Sequence, residues 1–241
     1  MFGWLRISLR SLAMITLLVA CIPLYYIWRP FTAHNPWPGR FLSGIARIIG
    51  LQITTAGKRV QKGAILLPNH VSWLDIPALA GLTGTAFVAQ DGLAAHGWLR
   101  WLCRLNDTVF IARDKRASVS RQVDQIREAI RETGSLTIFP EGTTVNGIDL
   151  LPFKSSLLSA ITPLPAGISV QPVWLDYGVD SEKIAWIGDE PGLDNYLRIA
   201  ARSARIPLTV HFLDPLEADA LANRKTMAAR ASAAILAAKN V

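Results

Sequence analysis

Residues 64–75 read Ala-Ile-Leu-Leu-Pro-Asn-His-Val-Ser-Trp-Leu-Asp, and this stretch sets the architecture of the chain. The apolar run Ala64–Pro68 predicts a buried β-strand that ends in a polar turn carrying His70. On one continuous helix, His70 and Asp75 would lie about 140° apart. They can meet only if His70 lies in the turn and Asp75 lies in the first turns of a following helix. Asp75 then accepts a hydrogen bond from one ring nitrogen, and the other nitrogen can accept a proton. A capping Asp and a structural His also fit the segment.

Further apolar runs predict a central sheet. Runs rich in β-branched and aromatic residues alternate with helical patterns, which is typical of an α/β domain whose largely buried sheet is flanked by helices. The strands are predicted at Ala64–Pro68, Ala86–Ala89, Thr108–Ala112, Ser135–Phe139, Ile168–Val173 and Pro207–Leu213. Helices are predicted at Ser118–Thr133, with Gly134 as the stop, and at Asn223–Lys239.

Polar groups follow three of these strands. His70 follows the first strand, Arg113 follows the run at Thr108, and Glu141 follows the run at Ser135. In open α/β sheets the ligand crevice lies at the carboxyl ends of the strands. We therefore expect these three residues, with Asp75, to surround one site.

The N-terminal segment, residues 1–51, is expected to anchor the chain to a membrane, and residues 52–241 to form the main domain. The 18-residue stretch Ser11–Trp28 carries no charge and is flanked by Arg10 and Arg29. As a helix it would be about 27 Å long, just short of a hydrocarbon core of about 30 Å. Three interpretations stay open: a spanning or deeply embedded helix, a re-entrant hairpin that turns near residues 35–39 into the apolar segment Phe41–Leu51, and a cleavable signal. The basic residues are denser after the stretch, which favours a cytoplasmic domain.

The composition favours a membrane-associated protein with anionic contacts. The chain is 51% hydrophobic and 18% charged, with a formal net charge of +7, whereas about a quarter of the residues of soluble proteins are charged. Such a charge suits anionic lipid head groups or phosphate-bearing substrates. No nucleic-acid-binding motif is visible, so we expect no nucleic-acid partner. The two cysteines, Cys21 and Cys103, lack metal-ligand spacing, and neither a metal nor another cofactor is expected.

Four sequence blocks resemble the glycerolipid acyltransferase family. They are Asn69-His70-x4-Asp75, Phe110–Arg113, Phe139–Thr144 and Val170–Val173. Each block alone is weak evidence for the family, but all four blocks occur in the family's order. The resemblance extends from about Gly63 to Leu213. Within that family they most resemble the lysophosphatidic acid acyltransferases, which make phosphatidic acid from 1-acyl-sn-glycerol-3-phosphate.

The resemblance implies an enzyme of phospholipid biosynthesis that moves a fatty acyl group from acyl-CoA or acyl-carrier protein to the free hydroxyl of a lysolipid. His70 would be the general base, Asp75 would orient it, and no covalent acyl-enzyme would form. The implied substrate-binding residues are Arg113 and Lys154 near the acceptor phosphate, and Glu141, Gly142 and Thr143 around the acceptor. Membrane lipids would be partners, and the protein would lie at a bacterial-type inner membrane with its catalytic domain on the cytoplasmic face.

One position departs from the family pattern. Gln90 stands where the family commonly has a Lys, and a neutral amide supplies no charge for a phosphate. The alternative within the same chemistry is therefore an O-acyltransferase for another lysolipid, such as lyso-ornithine lipid. Two other classes stay open: a metal-dependent hydrolase that uses His70, Asp75 and Glu141, and a non-catalytic lipid-binding protein. The remaining histidines, at positions 34, 96 and 211, lie away from the motifs, which counts against the hydrolase.

Overall fold

The N-terminal part of the molecule is a helical hairpin. The computed structural model describes residues 2–32, 35–90, 97–106, 108–111 and 119–240. Helix α1, Phe2–Trp28, continues through Pro23, and its 27 residues extend for about 40 Å. Helix α2, Trp37–Ile49, packs back against α1, so the chain reverses direction between the two helices. Of the turn predicted at residues 35–39, residues 35 and 36 lie in this connection, whereas residues 37–39 belong to the first turn of α2. Within the described residues, α1 is the one helix long and apolar enough to cross a membrane, and 6% of its apolar window is buried.

Helix α1 begins nine residues before the uncharged run, and Arg10, which precedes that run, has polar partners on the domain. The Arg10 guanidinium donates hydrogen bonds of 2.9 Å to the carbonyl oxygens of Ala200 and Arg202. Beside it, the hydroxyls of Ser11 and Tyr196 lie 2.6 Å apart. The first third of α1 is therefore bound to the α/β domain. The division of the chain after residue 51 stays a prediction, and Leu51 itself is the first residue of strand β1.

Within the described residues, seven strands form one sheet in the order β1-β7-β6-β2-β5-β3-β4. The strands are β1 Leu51–Gly57, β2 Ala64–Pro68, β3 Ala86–Gln90, β4 Val109–Ile111, β5 Ser135–Thr137, β6 Ser169–Asp176 and β7 Ile206–Phe212. Strands β6, β2, β5, β3 and β4 are parallel, whereas β7 is antiparallel to β6 and β1 is parallel to β7. The carboxyl ends of the five parallel strands consequently share one edge of the sheet.

Each of the six predicted strands is present, with ends shifted by up to three residues. Strand β1 was not predicted, because its sequence, Leu-Gln-Ile-Thr-Thr-Ala-Gly, gives little hydrophobic signal. It lies at the edge of the sheet, and only its first residue is buried. Its pairing with β7 is a tertiary event, since the partner residues lie about 155 positions later, as in Leu51 opposite Ile206.

Helices cover both faces of the sheet. They are α3 Asp75–Thr83, α4 Gly97–Leu105, α5 Val119–Thr133, α6 Ser181–Ile184, α7 Gly192–Ala200 and α8 Arg224–Lys239. The two predicted helices correspond to α5 and α8, and the side chain of Asn223 caps α8 by accepting from the N–H groups of Lys225 and Thr226.

The core consists of two clusters separated by the sheet. All five residues of β2 are buried, with Leu66 in the cluster on one face and Ile65 and Leu67 in the cluster on the other. Residues of α2, α3 and α7 complete the first cluster, and residues of α5 and α8 complete the second. The α/β class, with its central sheet, flanking helices and apolar N-terminal hairpin, is confirmed.

Candidate active site

His70 and Asp75 meet in the geometry that their spacing requires. His70 lies in the turn after β2, and Asp75 is the first residue of α3. The Nδ1 atom of His70 is 2.8 Å from Oδ2 of Asp75. The turn itself is held by Asn69, whose side chain donates to the carbonyl oxygen of Leu175 and accepts from its N–H. His70 is thus fixed to the neighbouring strand β6 as well as to α3.

The carboxylate of Asp75 is fully buried and uses both oxygens. Besides His70, Oδ2 accepts hydrogen bonds from the backbone N–H groups of Val71 at 2.7 Å and Ser72 at 3.0 Å. The other oxygen, Oδ1, accepts a 2.6 Å hydrogen bond from the hydroxyl of Tyr177. Four donors therefore stabilise the ionised carboxylate and leave it no acceptor role toward a substrate.

Tyr177 was missed by the sequence analysis. It follows the last residue of β6 and is completely buried. Burial and the nearby charge of Asp75 raise the pKa of Tyr177 well above its ordinary value, so its hydroxyl stays a hydrogen-bond donor. No local pattern marks this residue, because the contact joins positions 102 apart in the sequence.

The imidazole ring of His70 is also held by an aromatic stack. Its centroid lies 3.9 Å from that of Phe139, with 21° between the ring planes, and Phe87 stacks beyond Phe139. With Nδ1 facing Asp75, the side chain is 16% exposed. Among the described residues, Nε2 has no hydrogen-bond partner, so this nitrogen is available to a substrate.

Glu141 supports His70 through the backbone. One of its oxygens accepts the backbone N–H of His70 at 2.8 Å, and the other accepts that of Leu151 at 2.9 Å. Burial raises its pKa from the ordinary 4.5, and the two hydrogen bonds oppose that rise. Since both oxygens are engaged, the observed contacts of Glu141 are with the chain, and its predicted contact with a substrate stays a prediction.

Three other predicted residues, Gly142, Thr143 and Lys154, line the same cavity as His70. Gly142 has a φ of +70°, and a Cβ at this position would lie 3.3 Å from Nζ of Lys154. Gln90 is the last residue of β3. Arg113 lies outside the described residues, so its predicted role stays a prediction.

The cavity has a volume of about 1340 Å³ and is mostly apolar. Leu18, Ile22 and Tyr25 of α1 and Phe41 of α2 line it together with His70. The hairpin therefore forms a wall of the site and does not extend away from the domain. Such a space, with one proton acceptor in its wall, suits a long acyl chain that carries a hydroxyl or a thioester.

The described residues contain no cluster of three or more His, Cys, Asp or Glu side chains that could hold a metal ion. Within that part of the chain, His211 is stacked on Trp174, away from His70. Residues 34 and 96 lie outside the described ranges. The metal-dependent hydrolase has no ligand set among the described side chains.

Comparison with known proteins places these motifs in a wider group. The sequence profile of the family described as Acyltransferase matches residues 51–176. The lyso-ornithine lipid O-acyltransferase of Rhodobacter capsulatus is 31% identical, over 95% of this chain and 88% of that protein. The 1-acyl-sn-glycerol-3-phosphate acyltransferase of Neisseria gonorrhoeae is 33% identical, over 54% of this chain and 50% of that protein.

The fold also matches a solved structure. The 1-acyl-sn-glycerophosphate acyltransferase of Thermotoga maritima superimposes with a TM-score of 0.63 at 16% identity, covering 99% of this chain and 97% of that one. The match therefore includes the N-terminal hairpin as well as the sheet. At this identity it is evidence for the fold.

Proposed function

Because this chain belongs to the acyltransferase family and acts on lysolipids, we propose that its acceptor is a lyso-ornithine lipid, to which it transfers a fatty acyl group from acyl-CoA or acyl-carrier protein. The observation that carries the acyl-transfer part of this proposal is the 2.8 Å contact between His70 and Asp75 in the wall of a large apolar cavity. A non-catalytic lipid carrier has no use for a buried carboxylate that orients an exposed imidazole nitrogen.

The reaction follows from the two ends of the imidazole ring. Asp75 accepts the proton on Nδ1, so Nε2 carries a lone pair that can take the proton of the acceptor hydroxyl. The hydroxyl oxygen attacks the thioester carbonyl carbon and forms the new C–O bond. When the tetrahedral intermediate collapses, the C–S bond breaks, and the thiolate takes the proton from the imidazolium to leave as a thiol. The chain needs no covalent acyl intermediate.

Two observations favour a lyso-ornithine lipid over lysophosphatidic acid. The similarity to the Rhodobacter protein covers 95% of this chain, whereas the similarity to the Neisseria protein covers 54%. Gln90 replaces the family's Lys, and ornithine carries a carboxylate and an amine where lysophosphatidic acid carries a phosphate. Lysophosphatidic acid is the second candidate, because the block that contains Arg113 matches the family's phosphate-contacting motif.

The hairpin supports attachment within one membrane leaflet. Its α1 helix contacts the domain at Arg10, near its start, and at Tyr26, near its end, whose hydroxyl accepts a hydrogen bond from Trp101. A helix that crosses the bilayer would leave the domain at one of these two contacts. The opposite face of α1 carries exposed Leu5, Leu9, Leu12, Ile15 and Val19, each more than half exposed. We place this face in the acyl-chain region of the leaflet, and we assign the domain to the cytoplasmic face of a bacterial-type inner membrane, where acyl donors are made.

The test is acyl transfer by the purified full-length protein in lipid vesicles. Lyso-ornithine lipid and lysophosphatidic acid are offered with each donor type, and the product is identified by mass. We expect acylated ornithine lipid, with slower conversion of lysophosphatidic acid, and at least about 10²-fold slower conversion by the His70→Ala variant. His211→Ala is the matched control, since its imidazole lies outside the cavity. Product from lysophosphatidic acid alone would replace the proposed acceptor by the second candidate. Gln90→Lys should improve use of lysophosphatidic acid.

A further inference from the structure

The cavity beside His70 has a polar side that includes a residue outside the matched family region. Arg224, the first residue of α8, lines the cavity together with Thr143, Lys154, Ser156 and Ser159. Helix α8 packs against the 3-10 segment Leu157–Ile161, which includes Ser159 and begins one residue after Ser156. The family profile ends at residue 176, so Arg224 lies outside the segment that carries the four motifs.

The two cations on this side are not neutralised within the described residues. Neither Lys154 nor Arg224 has a carboxylate within ion-pair distance there, whereas Arg230 on the same helix pairs with Asp219. The buried acid Glu141 uses both oxygens on backbone N–H groups. Two positive charges without a carboxylate partner among the described residues, both on exposed side chains, therefore line a cavity that is mostly apolar.

We propose that Arg224, with Lys154, binds the free carboxylate of the acceptor head group. This assignment rests on the proposed function. An acceptor whose acyl chain lies among Leu18, Ile22 and Phe41 and whose hydroxyl reaches His70 has its head group toward the polar side. A guanidinium presents paired N–H donors that match the two oxygens of a carboxylate. Arg224 thereby selects an acceptor that carries an oxyanion at this position.

Steady-state kinetics test the assignment. Arg224→Ala should raise the acceptor KM about 10-fold, with kcat and the donor KM within about 2-fold of the parent, since the contact exists before and during reaction. Arg224→Lys should restore part of the loss, because a point charge lacks the planar fork. Arg230→Ala, on an exposed face of α8, is the matched control. An acceptor whose carboxylate is converted to an amide should bind the parent about 10-fold more weakly and should bind Arg224→Ala as the normal acceptor does.

Three results would overturn the assignment. An unchanged acceptor KM in Arg224→Ala removes the residue from the site. A raised donor KM moves it to the phosphates of the donor. A raised KM for lysophosphatidic acid alone makes the bound oxyanion a phosphate. Failure of the parent to acylate lyso-ornithine lipid would instead count against the proposed function, so the two failures are distinguishable.

A separate observation concerns the other end of the catalytic pair. Oδ1 of Asp75 has one donor among the described residues, the Tyr177 hydroxyl at 2.6 Å, whereas Oδ2 has three. Tyr177 is completely buried at the end of β6, so its position is set by the sheet and not by the turn that holds His70. We infer that Tyr177 is a positioning residue, which fixes the plane of the Asp75 carboxylate and shares its charge.

Tyr177→Phe removes this one hydroxyl. We expect kcat to fall about 3- to 10-fold with both KM values unchanged. The carboxylate, relieved of one donor, should hold the imidazolium proton more strongly, so the acid side of the pH–kcat/KM profile should move to higher pH. Tyr196→Phe, which removes a hydroxyl that contacts Ser11, is the control and should leave the profile in place. A folded Tyr177→Phe enzyme with the parent's profile would refute the inference, whatever its kcat.

Discussion

Replacing Asp75 with Asn separates the two things that this carboxylate can do, which are to orient the His70 ring and to supply a negative charge. An amide could in principle turn its NH2 group toward His70 and force the wrong tautomer. The structure opposes that rotamer, because the oxygen facing His70 also accepts the backbone N–H groups of Val71 and Ser72. An NH2 group there would face two donors, and each lost hydrogen bond costs about 1–3 kcal/mol.

The reverse rotamer loses much less. The amide oxygen can keep the three donors at Oδ2, and its NH2 group then points at Tyr177, whose hydroxyl can rotate to accept. What disappears is the charge that stabilises the imidazolium. A hydrogen bond to a charged group contributes about 1.5–3 kcal/mol and a neutral one about 0.5–1.5 kcal/mol. The difference of about 1–1.5 kcal/mol corresponds to about a 5- to 13-fold loss in kcat.

The assay is single-turnover acyl transfer with saturating acceptor, alongside ¹⁵N NMR of the His70 tautomer. Asp194→Asn, on the exposed surface of α7, is the matched control and should retain the parent rate. A loss near 10⁴-fold, the size found for the wrong tautomer in Ser-His-Asp triads, would refute this argument. So would an NMR spectrum with the proton on Nε2 in the Asn variant.

Three further outcomes are expected. His70→Ala should lower kcat about 10²- to 10⁴-fold with the fold retained by circular dichroism, and a folded variant with near-parent activity would remove the base. The double variant Leu12→Glu with Ile15→Glu changes two residues of α1 that are each about 60% exposed. It should lower the vesicle-bound fraction of the protein at least about 10-fold, whereas the control Leu236→Glu on α8 should not. Full retention of the double variant on vesicles would place the anchor elsewhere. Glu141→Gln should gain stability relative to the parent as pH rises above 4.5. The pKa of Glu141 is raised in the folded parent, so the parent loses stability when this buried group ionises, whereas Gln does not titrate. Melting temperatures of the two proteins that shift in parallel from pH 4 to pH 7 would contradict this prediction.

The sequence alone determined the class of fold and the order of the motifs. Apolar runs such as Ala64–Pro68 identify buried strands because a strand inside a parallel sheet must be apolar on both faces. The spacing of His70 and Asp75 fixed how they could meet, since a five-residue separation closes only across a turn and a helix start. The uncharged run in α1 likewise identified the apolar N-terminal segment, because its apolar composition is a property of the local sequence.

Tertiary structure decided which distant residues complete the site. The order of the sheet places Glu141 and Tyr177 beside the catalytic pair from opposite neighbouring strands, β5 and β6. No local pattern encodes contacts that span 71 and 102 residues. The edge strand β1 escaped prediction because an exposed strand has no apolar requirement. Tertiary contacts such as the Arg10 hydrogen bond to the end of α7 hold the hairpin against the domain, whereas the length of α1 alone is compatible with crossing a bilayer. The local sequence therefore determines which segments form strands and helices, whereas tertiary packing determines which of them lie side by side.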